Sequence, residues 1–401
     1  MQQTNLCLTL GLMLLTACHG AWAQFLGPLT LNAAYSLQSD TNLFRLPAGA
    51  SSMALIGRTD GAEQIGVSTL GFGFNTKQSL QQFELTATVV DYQYQHFNYL
   101  NYTATNFNAA WRWAITPRWH GNLTTSRNET QNSFADFQGS SQRNLRLDTA
   151  YGVDTEYEID GPWHLVASLS NSRQANQTMP VAGSDFSNMA VDLGVRYDFA
   201  SGSNVTYRMR TNKGEYLHEG IPSNGLFDGD YKQLDRDLKL HWIASGNSTI
   251  DANLTYVTRS HPNIARQDFD GLNTGVNFNW FYSGKTSVSV GYQRSLGVYE
   301  TVGSNYSRTD SVTLGPVYQI SPKAILRLQS RVDQVDYLGS LIDVASSARR
   351  DINRSNSLTL NWQPSQKLNF GTSIGTVSRS SNQVGANYDA SQFSLSAQLS
   401  Y

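Results

Sequence analysis

Hydrophobic and polar residues alternate with a period of two along most of the chain from residue 29 onward. Near the C-terminus, Leu358, Leu360 and Trp362 are apolar and the residues between them are polar. A short turn containing Pro364 follows, and the same alternation resumes at Leu368. A period of two is typical of a β-strand with one dry face and one wet face. The pattern therefore predicts an all-β protein.

The length of the alternating runs narrows the fold class. The runs last about 10 to 14 residues, whereas a strand of a soluble globular protein has about 5 to 6. Crossing a bilayer takes about 9 to 11 tilted residues. Tight turns recur about 40 residues apart, which leaves room for two long strands and one longer loop. These turns are predicted at residues 75–79, 116–118, 160–162, 200–203, 245–248, 283–285, 321–323 and 363–366.

The arrangement predicts a transmembrane antiparallel β-barrel of the outer membrane, formed by residues 24–401 with about 18 strands (16–18). The short turns would be periplasmic and the longer loops, such as 39–61 and 215–230, extracellular. Aromatic residues crowd the short-turn side, as in a membrane-interface belt: Phe74, Trp113, Trp119, Trp163, Phe199, Trp242, Trp280, Phe281, Tyr282, Tyr318 and Trp362. The competing interpretation is a soluble β-sandwich, but its strands would be shorter and its aromatic residues scattered.

The first 23 residues have the features of a signal peptide. An apolar stretch too short to span a membrane as a helix precedes Ala-Trp-Ala, which ends at Ala23 before Gln24. Cleavage there would remove Cys7 and Cys18, the only cysteines. The stretch ending at Cys18 also resembles a lipobox, so lipidation of that cysteine is the alternative. Either route predicts export to the outer membrane of a Gram-negative cell.

Composition excludes several classes of function. The chain has 29 basic and 31 acidic side chains and a net charge of −2, which gives no reason to expect nucleic-acid binding. No nucleophile elbow, zinc-protease helix, phosphate-binding loop or paired-cysteine metal motif occurs in the sequence. We therefore predict a protein that is not an enzyme and has neither a cofactor nor a metal.

The polar faces of the predicted strands would line a lumen. The basic residues on these faces are Arg112, Arg146, Arg196, Arg208, Arg210, Lys239, Arg327 and Arg331. The acidic ones are Asp148, Asp154, Glu156, Glu158, Asp192, Asp237, Asp251 and Asp333. A wall of mixed sign predicts a wet, polar conduit for a hydrated solute rather than an ion-selective ring. The run of Asp154, Glu156 and Glu158 could bind a cation or could pair with basic residues of neighbouring strands.

One stretch is richer in aromatic residues. If Phe83 and Val89 face outward, Tyr92, Tyr94 and His96 face inward, where their rings could stack on sugar rings. The alternatives are an upper aromatic girdle after a bulge, or a loop that packs on itself.

A short motif follows the first strand. Residues 39–47 read SDTNLFRLP, and the pattern of Asp40, Asn42, Leu43, Phe44 and Arg45 resembles the exopolysaccharide-operon barrel family called EpsL, which is associated with exosortase systems. The resemblance implies export or assembly of an extracellular polysaccharide and supplies no catalytic residues. Asp40 and Asn42 also suit a turn that simply ends the strand.

This resemblance sets the expected function and partners. We expect a passive channel that takes part in exopolysaccharide export, in contact with the extracellular polysaccharide and with other export components. Outer-membrane lipids and the barrel-assembly machinery are the remaining expected partners. The alternatives are a general or sugar-specific uptake porin, and a surface receptor or structural barrel.

Overall fold

The computed structural model describes residues 29–135, 141–178, 185–217, 228–301, 304–339 and 349–401. The predicted signal peptide over residues 1–23 lies outside this part of the chain and stays a prediction, as does lipidation at Cys18.

Eighteen antiparallel strands form one closed sheet, in which β1 pairs with both β2 and β18. The strands are β1 (Leu29–Asp40), β2 (Glu63–Gln78), β3 (Gln81–Tyr94), β4 (Tyr102–Thr116), β5 (Trp119–Gln131), β6 (Leu145–Asp160), β7 (Trp163–Asn176), β8 (Phe186–Asp198), β9 (Asn204–Tyr216), β10 (Asp230–Ser245), β11 (Ser248–Ser260), β12 (Phe269–Phe281), β13 (Thr286–Thr301), β14 (Ser304–Ser321), β15 (Ala324–Leu338), β16 (Arg350–Trp362), β17 (Leu368–Ser381) and β18 (Tyr388–Ser400). In the described part of the chain, one short helix, α1 (Ser52–Ile56), lies between β1 and β2, and two 3₁₀ turns are at Asn98–Leu100 and Ala265–Gln267. The predicted barrel of about 18 strands is confirmed.

The predicted turns join the strand pairs at one end of the barrel. Seven of the eight predicted positions fit the strand ends closely, and the first is displaced. Residues 75–78 continue β2, where Thr76 pairs with Phe83 and Gln78 with Gln81. The chain turns at Ser79, which has a positive φ of 58°. The polar residues 75–78 resemble a turn sequence, but the pairing of β2 with β3 extends through them. A strand can continue beyond the lipid-facing zone in this way because its polar side chains are exposed to water there.

The outer surface of the barrel is apolar. In β8, Val191, Leu193 and Val195 point outward, whereas Asp192 and Arg196 point to the interior. Leu193 is 64% exposed, an unfavourable state for such a side chain in water. Because closure pairs the strand edges, the backbone of the sheet can lie in hydrocarbon without unpaired amide groups. The described part of the chain has no helix long and apolar enough to cross a membrane.

Aromatic side chains form a belt on the outer surface at the short-turn end. Trp163 packs on Tyr197 with ring centres 4.8 Å apart, and Tyr197 packs on Phe199 at 4.9 Å. Phe199 in turn contacts Trp242 at 5.9 Å. Such rings are most stable at the level of lipid headgroups, so the belt marks one membrane interface.

Candidate functional site

The lumen wall carries the charged residues that the sequence assigned to it. In each strand these residues alternate with the exposed apolar side chains of the outer face, so the registers place them on the inner face. They are Arg112, Arg146, Asp148, Asp154, Glu156, Glu158, Asp192, Arg196, Arg208, Arg210, Asp237, Lys239, Asp251, Arg327, Arg331 and Asp333. Whether any of them contacts a solute stays a prediction.

Most lumen charges are neutralised by a close neighbour. The pairs run along or across adjacent strands: Arg112–Glu84 (3.0 Å), Arg146–Asp148 (2.9 Å), Arg210–Asp192 (3.0 Å), Arg331–Asp333 (2.8 Å) and Lys239–Asp237 (3.7 Å). Because each of these positive charges has a negative one beside it, the pairs do not form a ring of one charge around the lumen. The wall presents both hydrogen-bond donors and acceptors to the interior.

The acidic run of β6 is paired by its neighbours. Arg196 of β8 donates to Glu156 at 2.8 Å, and Asn122 of β5 donates to Asp154 at 2.8 Å. Glu158 lies 3.8 Å from Arg118. Among the described residues, no group of three His, Cys, Asp or Glu side chains is placed to hold a metal ion. The run is therefore a hydrated stripe of the wall with partners on adjacent strands.

A polar cavity of about 730 Å³ lies against β9–β14. Asn204, Arg208, Asp237, Asn253 and Thr313 are among the residues that line it. Arg208 has no carboxylate within ion-pair distance in the part of the chain that the structure describes. This side of the lumen is thus open, wet and lined by hydrogen-bonding groups.

The motif after β1 builds a tight, inward turn. Arg45, in the left-handed conformation with φ 55°, donates to both carboxylate oxygens of Asp40 at 2.8 and 2.7 Å. The Asn42 side chain accepts from the Leu46 amide at 2.8 Å and donates to the Leu46 carbonyl at 2.9 Å. It also donates to the carbonyl of Asp389 in β18. Asp40, Asn42 and Arg45 therefore all have hydrogen-bond partners within this turn.

The turn drives an aromatic side chain into the barrel. Phe44 is 1% exposed and lies at the centre of a cluster that also contains Ile65 and Val67 of β2. Its ring centre is 4.7 Å from that of Phe97 and 4.6 Å from that of Phe134, each from a different connection. Leu43 packs at the edge of this cluster. The apolar core of the protein thus lies inside the lumen, at the long-loop end of β2–β4.

The aromatic stretch of β3 belongs to the same packing. Tyr92 stacks on Tyr102 at 4.5 Å, and Tyr94 is 6% exposed within the cluster. His96 lies beyond β3 in the connection to β4, where its Nδ1 is 3.1 Å from Glu63. Tyr94 thus packs against protein, Tyr92 is half-buried and His96 is exposed, and contact of any of the three with a solute stays a prediction.

A second connection crosses the lumen, and sequence reasoning missed it. After β5 the chain reaches Ala135, whose carbonyl accepts a 2.7 Å hydrogen bond from Arg379 of β17. Around the barrel β17 is far from β5, so this contact spans the interior. A smaller cavity of about 410 Å³ lies beside this segment and the motif. Only alternation along strands was visible in the sequence, and it carries no signal for contacts between loops.

Solved structures with a similar fold include an outer-membrane protein and a porin. The chain is similar to OpdK of Pseudomonas aeruginosa, solved with vanillate, at 12% identity over 93% of this chain and 99% of that one, with a TM-score of 0.53. A BenF-like porin of Pseudomonas fluorescens Pf-5 is similar at 13% identity over 94% and 100% of the two chains, with a TM-score of 0.54. Pseudomonas aeruginosa OpdQ is similar at 12% identity, 93% and 97% coverage and a TM-score of 0.54.

No family model matches the chain, and no curated protein matches it. The predicted membership of the EpsL-like exopolysaccharide family is therefore wrong, because the similar structures are porin-like barrels and no match supports that family. The motif misled because Asp40, Asn42, Leu43, Phe44 and Arg45 have structural roles that any barrel with an inward first loop could use. The expectation of a polysaccharide partner rested on this resemblance and is no longer supported.

Proposed function

We propose that the protein is an outer-membrane porin through which small, polar solutes enter the cell by passive diffusion. The observation that carries the proposal is the open polar cavity against β9–β14, opposite a lumen half occupied by the first loop. A barrel of this strand number is wide enough for water, and inward-packed connections reduce its bore to that of a small solute.

The lumen charges support weak ion selectivity. Arginines and carboxylates alternate on the wall and pair at about 3 Å, so neither sign dominates the field along the pathway. The similar protein OpdK was solved with vanillate, which is a small organic solute. The partners on this proposal are outer-membrane lipids and the barrel-assembly machinery.

The test is conductance of the purified protein in planar bilayers, combined with swelling of liposomes in sugars of increasing size. We expect discrete ion-conducting steps with a cation-to-anion permeability ratio near one. Swelling should be fast for monosaccharides and should fall steeply for larger oligosaccharides. Absence of both conductance and swelling would contradict the proposal and would favour a closed structural or receptor barrel.

The role of the first loop can be tested in the same assay. Replacing Leu43–Leu46 by a Gly-Ser segment of equal length should release the loop from the lumen wall and raise the conductance. The matched control is a Gly-Ser replacement of Met53–Leu55 in α1, because these side chains are exposed, whereas Ile56 of the same helix packs on the cluster and is kept. Unchanged conductance in the first variant would show that the loop does not narrow the pathway.

A further inference from the structure

Two lysines face each other on the outer surface, near the long-loop end of the barrel. Lys213 of β9 and Lys232 of β10 are directly opposite in the register, and both side chains are exposed. The preceding residues Asn212 and Tyr231 are buried and face inward, so the two lysines face outward. Like charges in directly opposed positions destabilise a sheet unless a counter-charge lies between them.

In the described residues, no carboxylate lies within ion-pair distance of this pair. In the same part of the chain, this also holds for the exposed Arg173 and Arg236 on the same side. The outer surface of β13–β16 is different. There Arg294, Arg308 and Arg350 are neutralised by Asp310 and Asp336 at 2.6 to 2.8 Å. Within the described ranges, four outward cations without an ion pair therefore lie on β7–β10, and Arg354 of β16 is a further one.

The lysine pair lies at the edge of the lipid-facing zone. Met189 of β8, 51% exposed, is directly opposite Lys213, and Met209 of β9, four residues before Lys213, is 45% exposed. One step toward the loops, Glu215 and Asp230 form the next opposed pair. Lysine stems can lie along the apolar surface while their ammonium groups reach the headgroup level. The carboxylates above limit how far an anion can extend toward the loops.

We propose that Lys213 and Lys232 bind a phosphate group of a phosphorylated glycolipid of the lipid A type in the outer leaflet. Arg236 lies on β10 four residues from Lys232, and Arg173 lies on β7, two strands from Lys213, so these are the next cations on the same outer face for a second phosphate of the headgroup. A phosphate held between the two ammonium groups supplies a counter-charge in direct contact with both, which Glu215 and Asp230, one step along the strands, do not provide. The site is on the outside of the barrel, so it is independent of what passes through the lumen.

The test is lipid retention by the full-length, detergent-purified protein, measured by native mass spectrometry with lipid A as the probe. We expect binding of lipid A, weaker binding of its dephosphorylated form, and a loss of roughly 30-fold in affinity in the K213Q/K232Q variant. The K213R/K232R variant keeps the charge and should retain the lipid. The matched control is K77Q/K285Q, which removes two exposed cations near the short-turn end.

Three results would overturn the proposal. The first is an unchanged affinity in K213Q/K232Q. The second is an equal loss in K77Q/K285Q, which would indicate a general charge effect. The third is equally tight binding of phosphatidylglycerol, which would assign the site to phospholipid. Because the readout is lipid binding, it can fail while conductance persists, and conductance can fail while the lipid still binds.

Discussion

At the scale of single residues, buried side chains inside the lumen distinguish this barrel from an empty cylinder. Phe44 is held by Phe97 and Phe134, and the ion pair between Arg45 and Asp40 fixes the turn that delivers it. A fully buried aromatic ring contributes several kcal/mol, because its removal leaves a cavity that the surrounding wall closes only in part.

The Phe44→Ala variant should loosen the first loop without unfolding the barrel. A cost of about 3 kcal/mol corresponds to roughly 100-fold faster amide exchange in the loop. The measurement is hydrogen exchange of the amides around Leu43, resolved by mass spectrometry. Leu55→Ala, at a position 41% exposed on α1, is the control and should leave exchange unchanged. Equal exchange rates in the Phe44→Ala variant and the wild type would show that the cluster does not hold the loop.

At the scale of elements, the strands could be predicted and the connections could not. Alternation over residues such as Val191 to Val195 is a local signal, set by the period of the backbone and by lipid outside and water inside. The cluster of Phe44, Phe97 and Phe134 joins three connections far apart in sequence, and no local pattern records their contact. For the same reason the lumen charges could be placed by register, whereas their partners on other strands could not.

The connection between β11 and β12 gives a pH-dependent prediction. Burial lowers the pKa of His261 below its usual 6.5; Asp268, 3.4 Å away, favours the protonated form, and Arg259 opposes it. Asp228 also faces this histidine, and hydrogen bonds from Asn263 hold the pKa of that carboxyl below 3.8 although burial raises it. Because the unfolded chain binds a proton near 6.5, stability from neutral His261 is present above that pH and is lost as the pH falls through the lower folded pKa.

The comparison with His261→Gln isolates this effect, since glutamine does not titrate. Urea unfolding midpoints should fall more steeply in the wild type than in the variant between about pH 7 and about pH 5. Parallel pH profiles would contradict the assignment.

At the scale of the whole molecule, the protein is turned inside out relative to a soluble globule. Apolar side chains cover the outside, and charged pairs with hydrogen-bonding groups line the inside. Closure of β1 on β18 makes this possible, because it leaves no open sheet edge in hydrocarbon. The proposed porin function, the loop inside the lumen and the proposed lipid site on the rim all depend on this arrangement.

Cysteine labelling of two adjacent residues in β10 tests the arrangement most directly. Single cysteines at Leu238, 43% exposed on the outer face, and at Lys239, on the cavity wall, are placed in a chain whose Cys7 and Cys18 are serine. In lipid vesicles, a polar maleimide should label the Lys239→Cys variant and leave Leu238→Cys unreacted. Rapid labelling at position 238 together with protection at 239 would contradict a barrel with lipid outside and water within.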